Sequence, residues 1–164
     1  MDRDAFVAVF GGVFEDSPWV ADMAWQSRLF KSESHLVETL CEVVRNAGQA
    51  RQLALLCAHP ELGERKPLAG YSAREQDNAG LQRERGHQVA VLAELNRRYR
   101  NKFGFPFILA VKGLDPDNII KRFYERLENR AEDEFSECLD EVFKIAGYRL
   151  EDLLVNPGDG QIQQ

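Results

Sequence analysis

The chain has 164 residues, of which 44% are hydrophobic and 29% charged, with a formal net charge of -6. That is the profile of one water-soluble domain, long enough to bury a core without disulfides or metals. Acidic and basic residues interleave throughout, and Arg97, Arg98 and Arg100 stand among Glu, Asn and Tyr, so the concentrated basic surface of a nucleic-acid protein is excluded.

In chain order, the opening MDRDAFVAVF is acidic early and holds no long apolar run, so no signal peptide is read there. From Ser34 to Ala47, apolar residues fall at Leu36, Leu40, Val43, Val44 and Ala47, which predicts an amphipathic helix stopped by Gly48. Gln49 to Ala58 contains the run LALLCA and predicts a buried helix, ended by His59-Pro60 because a residue before proline is pushed out of the helical region. Residues 61–71 hold two glycines and a proline without periodicity and read as a loop. Ser72-Ala73-Arg74-Glu75 matches a capping box, which starts a helix.

A long helix then carries Val89, Leu92, Ala93, Leu95 and Tyr99 towards Phe103. Phe105 to Val111 (FPFILAV) is a short apolar run with no partner strand elsewhere in the chain, and it reads as an extended buried segment. Asp115-Pro116-Asp117 opens a helix with Ile119, Ile120, Phe123 and Leu127 on one face. Ala131 to Ala146 repeats the pattern with Phe135, Leu139, Val142 and Phe143, stopped by Gly147. A short last helix follows over Tyr148 to Val155.

The expected architecture is a single all-α domain over 1–155 with one short extended segment near 105–111, followed by a flexible tail over 156–164. No stretch approaches the ~20 apolar residues of a membrane span. Cys41, Cys57 and Cys138 are odd in number, lie in apolar helical stretches and lack any CxxC or CxxH spacing. Free buried thiols in a reducing compartment and no zinc site are therefore expected. The ending GQIQQ carries no readable targeting tripeptide, which adds to the expectation of a cytoplasmic protein.

Taken singly, the candidate functional residues all have ordinary explanations. His59 at a helix C-terminus is a favourable charge–dipole placement, or an acid/base group. A capping box alone accounts for Ser72 and Glu75, and Gln76 beside them fits a plain surface position. Arg149, placed at the start of the last short helix, is at odds with the helix dipole, and a surface salt bridge with Glu151 or Asp152 would explain it. FGFPF at 103–107 reads either as an aromatic plug or as a segment whose backbone lines a pocket, since Gly104 frees the backbone and Pro106 withholds an N–H. His35 and His87 read as surface residues. The chain has no Walker loop, GxGxxG, HExxH or GxSxG.

Read together, five segments carry more. Glu15-Asp16-Ser17-Pro18-Trp19 resembles an E-x-S-P-W signature, and Leu55 to Gly63 (LLCAHPELG) an LL-x-AHP-[DE]-LG motif. Ser72 to Leu81 is similar to S-x-x-EQ-x-x-AGL, and Asn96 to Phe107 to N-x-x-Y-x-x-KFGFPF. Arg126-Leu127-Glu128-Asn129 and Arg149-Leu150 match closing RL-x-N and RL elements. In this order, over about Phe6 to Val155, they resemble the family of 2-oxo-4-hydroxy-4-carboxy-5-ureidoimidazoline (OHCU) decarboxylases, all-helical enzymes that complete the conversion of urate to (S)-allantoin. The stretch between His59 and Ser72 is shorter than in many members, so the pocket mouth is expected to differ.

The resemblance implies His59 as catalytic residue with Pro60 shaping the pocket floor, and Glu75 as its catalytic companion. It also implies substrate binding by Ser72, Glu75 and Gln76, by the backbone of Phe107, Ile108, Leu109, Ala110 and Val111, and by Arg149. It implies a homodimer acting on a small molecule, with no cofactor, metal, nucleic acid or membrane involved. The substrate carries its own electron sink: the C–CO2 bond lies next to a ring C=N that can take the electron pair. Two other readings stand beside this one, a non-catalytic helical interaction module and a related small-molecule lyase. The joint presence of His59, Glu75, Gln76 and Arg149 favours the decarboxylase.

Overall fold

The computed structural model describes residues 1–63 and 86–156. The described residues form seven α-helices and one 3-10 turn, with no strand, so the all-α expectation holds. The helices are α1 (Arg3–Phe10), α2 (Trp19–Ala24), α3 (Glu33–Arg45), α4 (Gln49–Ala58), α5 (Gly86–Phe103), α6 (Pro116–Leu127) and α7 (Ala131–Val155). The chain divides into two compact units, one of Met1–Leu55 with Phe143–Gln164, the other of Leu56–Val142. The capping box at Ser72, the 64–71 part of the expected loop and the tail beyond residue 156 lie outside the described residues.

In the first unit α1 packs on α2 and α2 on α3. Asp2 caps α1 by accepting the Ala5 N–H at 2.9 Å, and Ser32 caps α3 by accepting that of His35 at 3.1 Å. Helix α3 stops before Gly48, whose φ of 81° is open to glycine at no steric cost. The Gln52 side chain then donates to the Val44 and Arg45 carbonyls, at 3.0 Å each, satisfying acceptors that the end of α3 leaves open. Neither α1 nor α2 was marked by periodicity. They are short, and Phe6, Phe10, Val13 and Phe14 are buried around them.

In the second unit α5 meets α6. Gly104, with φ 82°, ends α5 by donating its N–H to the Arg100 carbonyl at 2.8 Å. The chain then runs without helix or strand over 105–111, and Phe105, Phe107, Ile108, Leu109 and Val111 are buried there. Phe107 stacks on Phe123 with ring centroids 3.7 Å apart, and Tyr99 meets both edge-on. Asp115 caps α6 by accepting the Asn118 N–H at 2.8 Å, with Pro116 in the first turn.

Three expectations are corrected. Gln49–Ala58 is a helix, but only Leu55 and Leu56 are buried in it; Leu53, Ala54 and Cys57 are exposed. A six-residue apolar run winds through about one and a half helical turns, so part of it must leave the core. Gly147 does not stop a helix: α7 runs unbroken for 25 residues to Val155. A mid-helix glycine costs about 1 kcal/mol, which burial of Ile145, Ala146 and Leu150 around it offsets. The third concerns the thiols. All three are free, yet Cys57 is exposed while Cys41 and Cys138 are buried. Burial pushes the Cys41 thiol up to about 11.

Candidate active site

His59 follows the last residue of α4 and is only 5% exposed. Its N–H donates to the Leu56 carbonyl at 3.2 Å, a tight terminal turn forced by Pro60, which is also buried. The stretch behind this pair is pinned to α5 by an ion pair from Arg100 to Glu61 at 3.0 Å and by Asn96 Nδ2 donating to the Leu62 carbonyl at 2.9 Å. Cys57 Sγ lies 3.8 Å from the Gly104 carbonyl, tying the last turn of α4 to the start of the extended segment. His59-Pro60 is thus held from two sides within the second unit, which suits a group that must keep one geometry.

A buried polar cluster lies against segment 105–111. Glu134, at the N-terminal end of α7, is fully buried. It accepts from Arg126 Nε and NH2 at 3.0–3.2 Å, from Asn129 Nδ2 at 2.9 Å and from the Tyr99 hydroxyl. Arg126 lies 4.4 Å above the Phe107 ring and donates to the Ile108 carbonyl. Burial is the strongest single influence on the Arg126 pKa and works to lower it, but the hydrogen bonds to Glu134, together with the electrostatic influence of Cys138, Glu134 and Tyr99, leave it raised. Burial likewise pushes the Tyr99 hydroxyl and the Cys138 thiol up. Both stay protonated at neutral pH, and the cluster is a charged pair wrapped in neutral donors.

Arg149 belongs to the first unit. It is 1% exposed, and it donates to the Val13 carbonyl at 3.0 Å and to Glu15 Oε2 at 3.1 Å. A surface salt bridge with Glu151 or Asp152 is therefore not its environment. Because α7 is continuous, Arg149 lies inside a helix and not in its first turn, so the expected conflict with the dipole does not arise.

The structure thus puts His59 beside Pro60 and gathers Phe107 to Val111 into one braced segment, while Arg149 sits in its own buried setting in the other unit. Ser72, Glu75 and Gln76 lie outside the described residues. Among the described residues, no three His, Cys, Asp or Glu side chains gather as a metal site. Sequence reasoning missed Glu15, which holds Arg149, and the Arg126–Glu134 pair. The signals were there, since Glu15 opens the E-x-S-P-W signature and Arg126 the RL-x-N element.

The family model described as OHCU decarboxylase matches residues 1–151. A 2-oxo-4-hydroxy-4-carboxy-5-ureidoimidazoline decarboxylase of Halalkalicoccus jeotgali is 42% identical over 163 residues, covering 99% of this chain and 92% of that protein. The uric acid degradation bifunctional protein PucL of Bacillus subtilis is 37% identical over 164 residues, all of this chain but 33% of that longer protein. Among solved structures, that of an (S)-allantoin synthase superposes with a TM-score of 0.77 at 27% identity, over 93% of this chain and 50% of that one. A family match over nearly the whole chain, with the motif histidine and arginine both built into the structure, places this chain in the OHCU decarboxylase family.

Proposed function

We propose that the chain decarboxylates 2-oxo-4-hydroxy-4-carboxy-5-ureidoimidazoline to (S)-allantoin in urate degradation, as a cofactor-free carboxy-lyase. The family match over residues 1–151 carries this reading. In the reaction the C–CO2 bond breaks and its electron pair forms a C=C bond to the neighbouring ring carbon. The C=N pair moves onto nitrogen, which takes a proton. The ureido-bearing carbon is then protonated on one face, and the hydroxyl loses its proton as the adjacent carbon becomes a carbonyl. The enzyme's tasks are to align the breaking bond with the ring π system, to move two protons, and to spread the shifting charge.

His59 is the acid/base in this reading, held by Pro60 and the α5 contacts, and Glu75 accepts from the substrate hydroxyl or orients His59. Arg149, oriented by Glu15, steadies the anionic substrate, as its planar fork suits carboxylate oxygens. Ser72 and Gln76 hydrogen-bond the ring or ureido group, and the peptide groups of 107–111 read the ring edge. The same reading includes a homodimer, tested by solution mass, and a cytoplasmic location, with which three free thiols agree. No helix among the described residues is long and apolar enough to cross a membrane.

The test is direct. Freshly generated substrate should release CO2 and yield optically active allantoin faster with the protein than without it, at a rate that EDTA leaves unchanged. Equal rates with and without protein would overturn the assignment; reversible loss with EDTA would overturn the cofactor-free mechanism.

Glu75→Gln separates a capping role from a catalytic one. Glutamine serves equally in a capping box, so a purely capping Glu75 predicts a stability loss under ~1 kcal/mol and unchanged turnover. The catalytic reading predicts a steep fall in kcat at nearly constant melting temperature. Wild-type kcat in this variant would remove Glu75 from the mechanism.

A further inference from the structure

From Pro106 to Ala110, the peptide groups that the protein engages fall on every second residue, the alternation that extended backbone produces. The Pro106 carbonyl faces Cys138 Sγ at 3.9 Å, and the Ile108 carbonyl accepts from Arg126. The Ile108 backbone also lies close enough to Cys138 to lower its thiol pKa, and the Ala110 N–H donates to Glu141 Oε2 at 2.7 Å. In extended backbone the N–H and C=O of one residue share an edge, and those of the next residue point to the opposite edge. Among the described residues, no hydrogen bond reaches the N–H or C=O of Phe107 or Leu109, or the N–H of Val111; the Val111 carbonyl is taken by the Leu114 N–H at 3.0 Å. All three residues are buried. Buried peptide groups without protein partners are costly unless something else supplies the hydrogen bonds.

We propose that Glu141, Arg126 and Cys138 are positioning residues of the decarboxylation: they grip the even-numbered peptide groups at 106, 108 and 110, and so present those of Phe107 and Leu109 and the Val111 N–H to the substrate ring. The proposal rests on the activity given above. Alternating donors and acceptors along one edge match the alternating carbonyl and N–H groups of a ureide ring. Glu141 is 2% exposed, so the carboxylate that accepts the Ala110 N–H is withdrawn from solvent.

The experiment has two arms. In the wild-type protein, amide exchange followed by NMR should show Ile108 and Ala110 protected without ligand. (S)-Allantoin should then protect Phe107, Leu109 and Val111 while changing the even-numbered amides little. Second, Glu141→Ala should raise KM and the (S)-allantoin Kd by roughly 10- to 100-fold, the scale of a small misplacement of a binding group. Glu141→Gln, which keeps an acceptor for the Ala110 N–H, should stay near wild type. A merely structural Glu141 would lower the melting temperature of the Ala variant and leave KM unchanged, which overturns the proposal. Should the Ala variant not fold, the exchange pattern decides: an unprotected Ala110 amide, or ligand protection centred on even-numbered residues, overturns it. Absence of turnover in the wild type would instead refute the activity itself.

Discussion

Replacing His59 with Asn should reduce turnover by at least ~100-fold, the low end of what a positioned acid/base contributes, while the protein keeps its helical circular dichroism. The residue is buried and its backbone closes α4 in a terminal turn that Pro60 enforces. Asparagine sustains that turn, as it is accepted at helix ends, and it stays polar, but it has no group that exchanges a proton near neutral pH. The variant therefore separates two roles of one side chain. A histidine that only filled the end of α4 would cost ~1 kcal/mol of stability when shortened and would leave kcat alone. A histidine that moves protons leaves stability nearly intact and removes kcat. Release of CO2 and formation of optically active allantoin, measured beside a thermal melt, distinguish the two; near-wild-type turnover would exclude His59 from the chemistry.

The position of His59 was legible because its determinants are local. Gly48 and His59-Pro60 bracket α4 in sequence, and the helix spans Gln49–Ala58 as the spacing predicts. Asp115-Pro116 likewise marks the start of α6 through a side-chain cap and a fixed φ. What was not legible depended on tertiary partners. On α7 the expected buried stripe was Phe135, Leu139, Val142 and Phe143. The observed one is Glu134, Cys138, Glu141, Val142, Ile145 and Arg149, with Phe135, Leu139 and Phe143 only half-buried. Glu and Arg are rarely buried without a partner, so pattern reading puts them outside. Here each has one: Arg126 for Glu134, the Ala110 N–H for Glu141, and Glu15 for Arg149. These partners lie between 8 and 134 residues away in sequence, beyond the reach of periodicity. Gly147 was misread for a similar reason, since a glycine between two amphipathic stretches signals a stop unless burial on both sides of it favours continuation.

Removing the Glu134 side chain should produce the largest stability loss of any single change in the second unit. Glu134→Ala strips the buried Arg126 of its counter-charge and leaves the Tyr99 hydroxyl and the Asn129 amide without their acceptor. An uncompensated buried charge of this kind costs about 3–5 kcal/mol. Arg126→Met alone should cost a similar amount, because it leaves Glu134 buried against neutral donors only and frees the Ile108 carbonyl. The double variant Arg126→Met, Glu134→Leu buries no charge, and apolar replacements of a buried pair are often neutral or stabilising. It should therefore regain part of the loss, though not all, since the Ile108 carbonyl still lacks its donor and the Tyr99 hydroxyl keeps only Cys138. Urea unfolding of the wild type, both single variants and the double variant gives the coupling directly. A Glu134→Ala protein within ~1 kcal/mol of wild type, or strictly additive losses in the double variant, would show that the pair does not act as one buried unit. The same four proteins separate folding from positioning. The double variant regains stability but not the grip on Ile108, so its Kd for (S)-allantoin should stay weakened while its unfolding midpoint recovers.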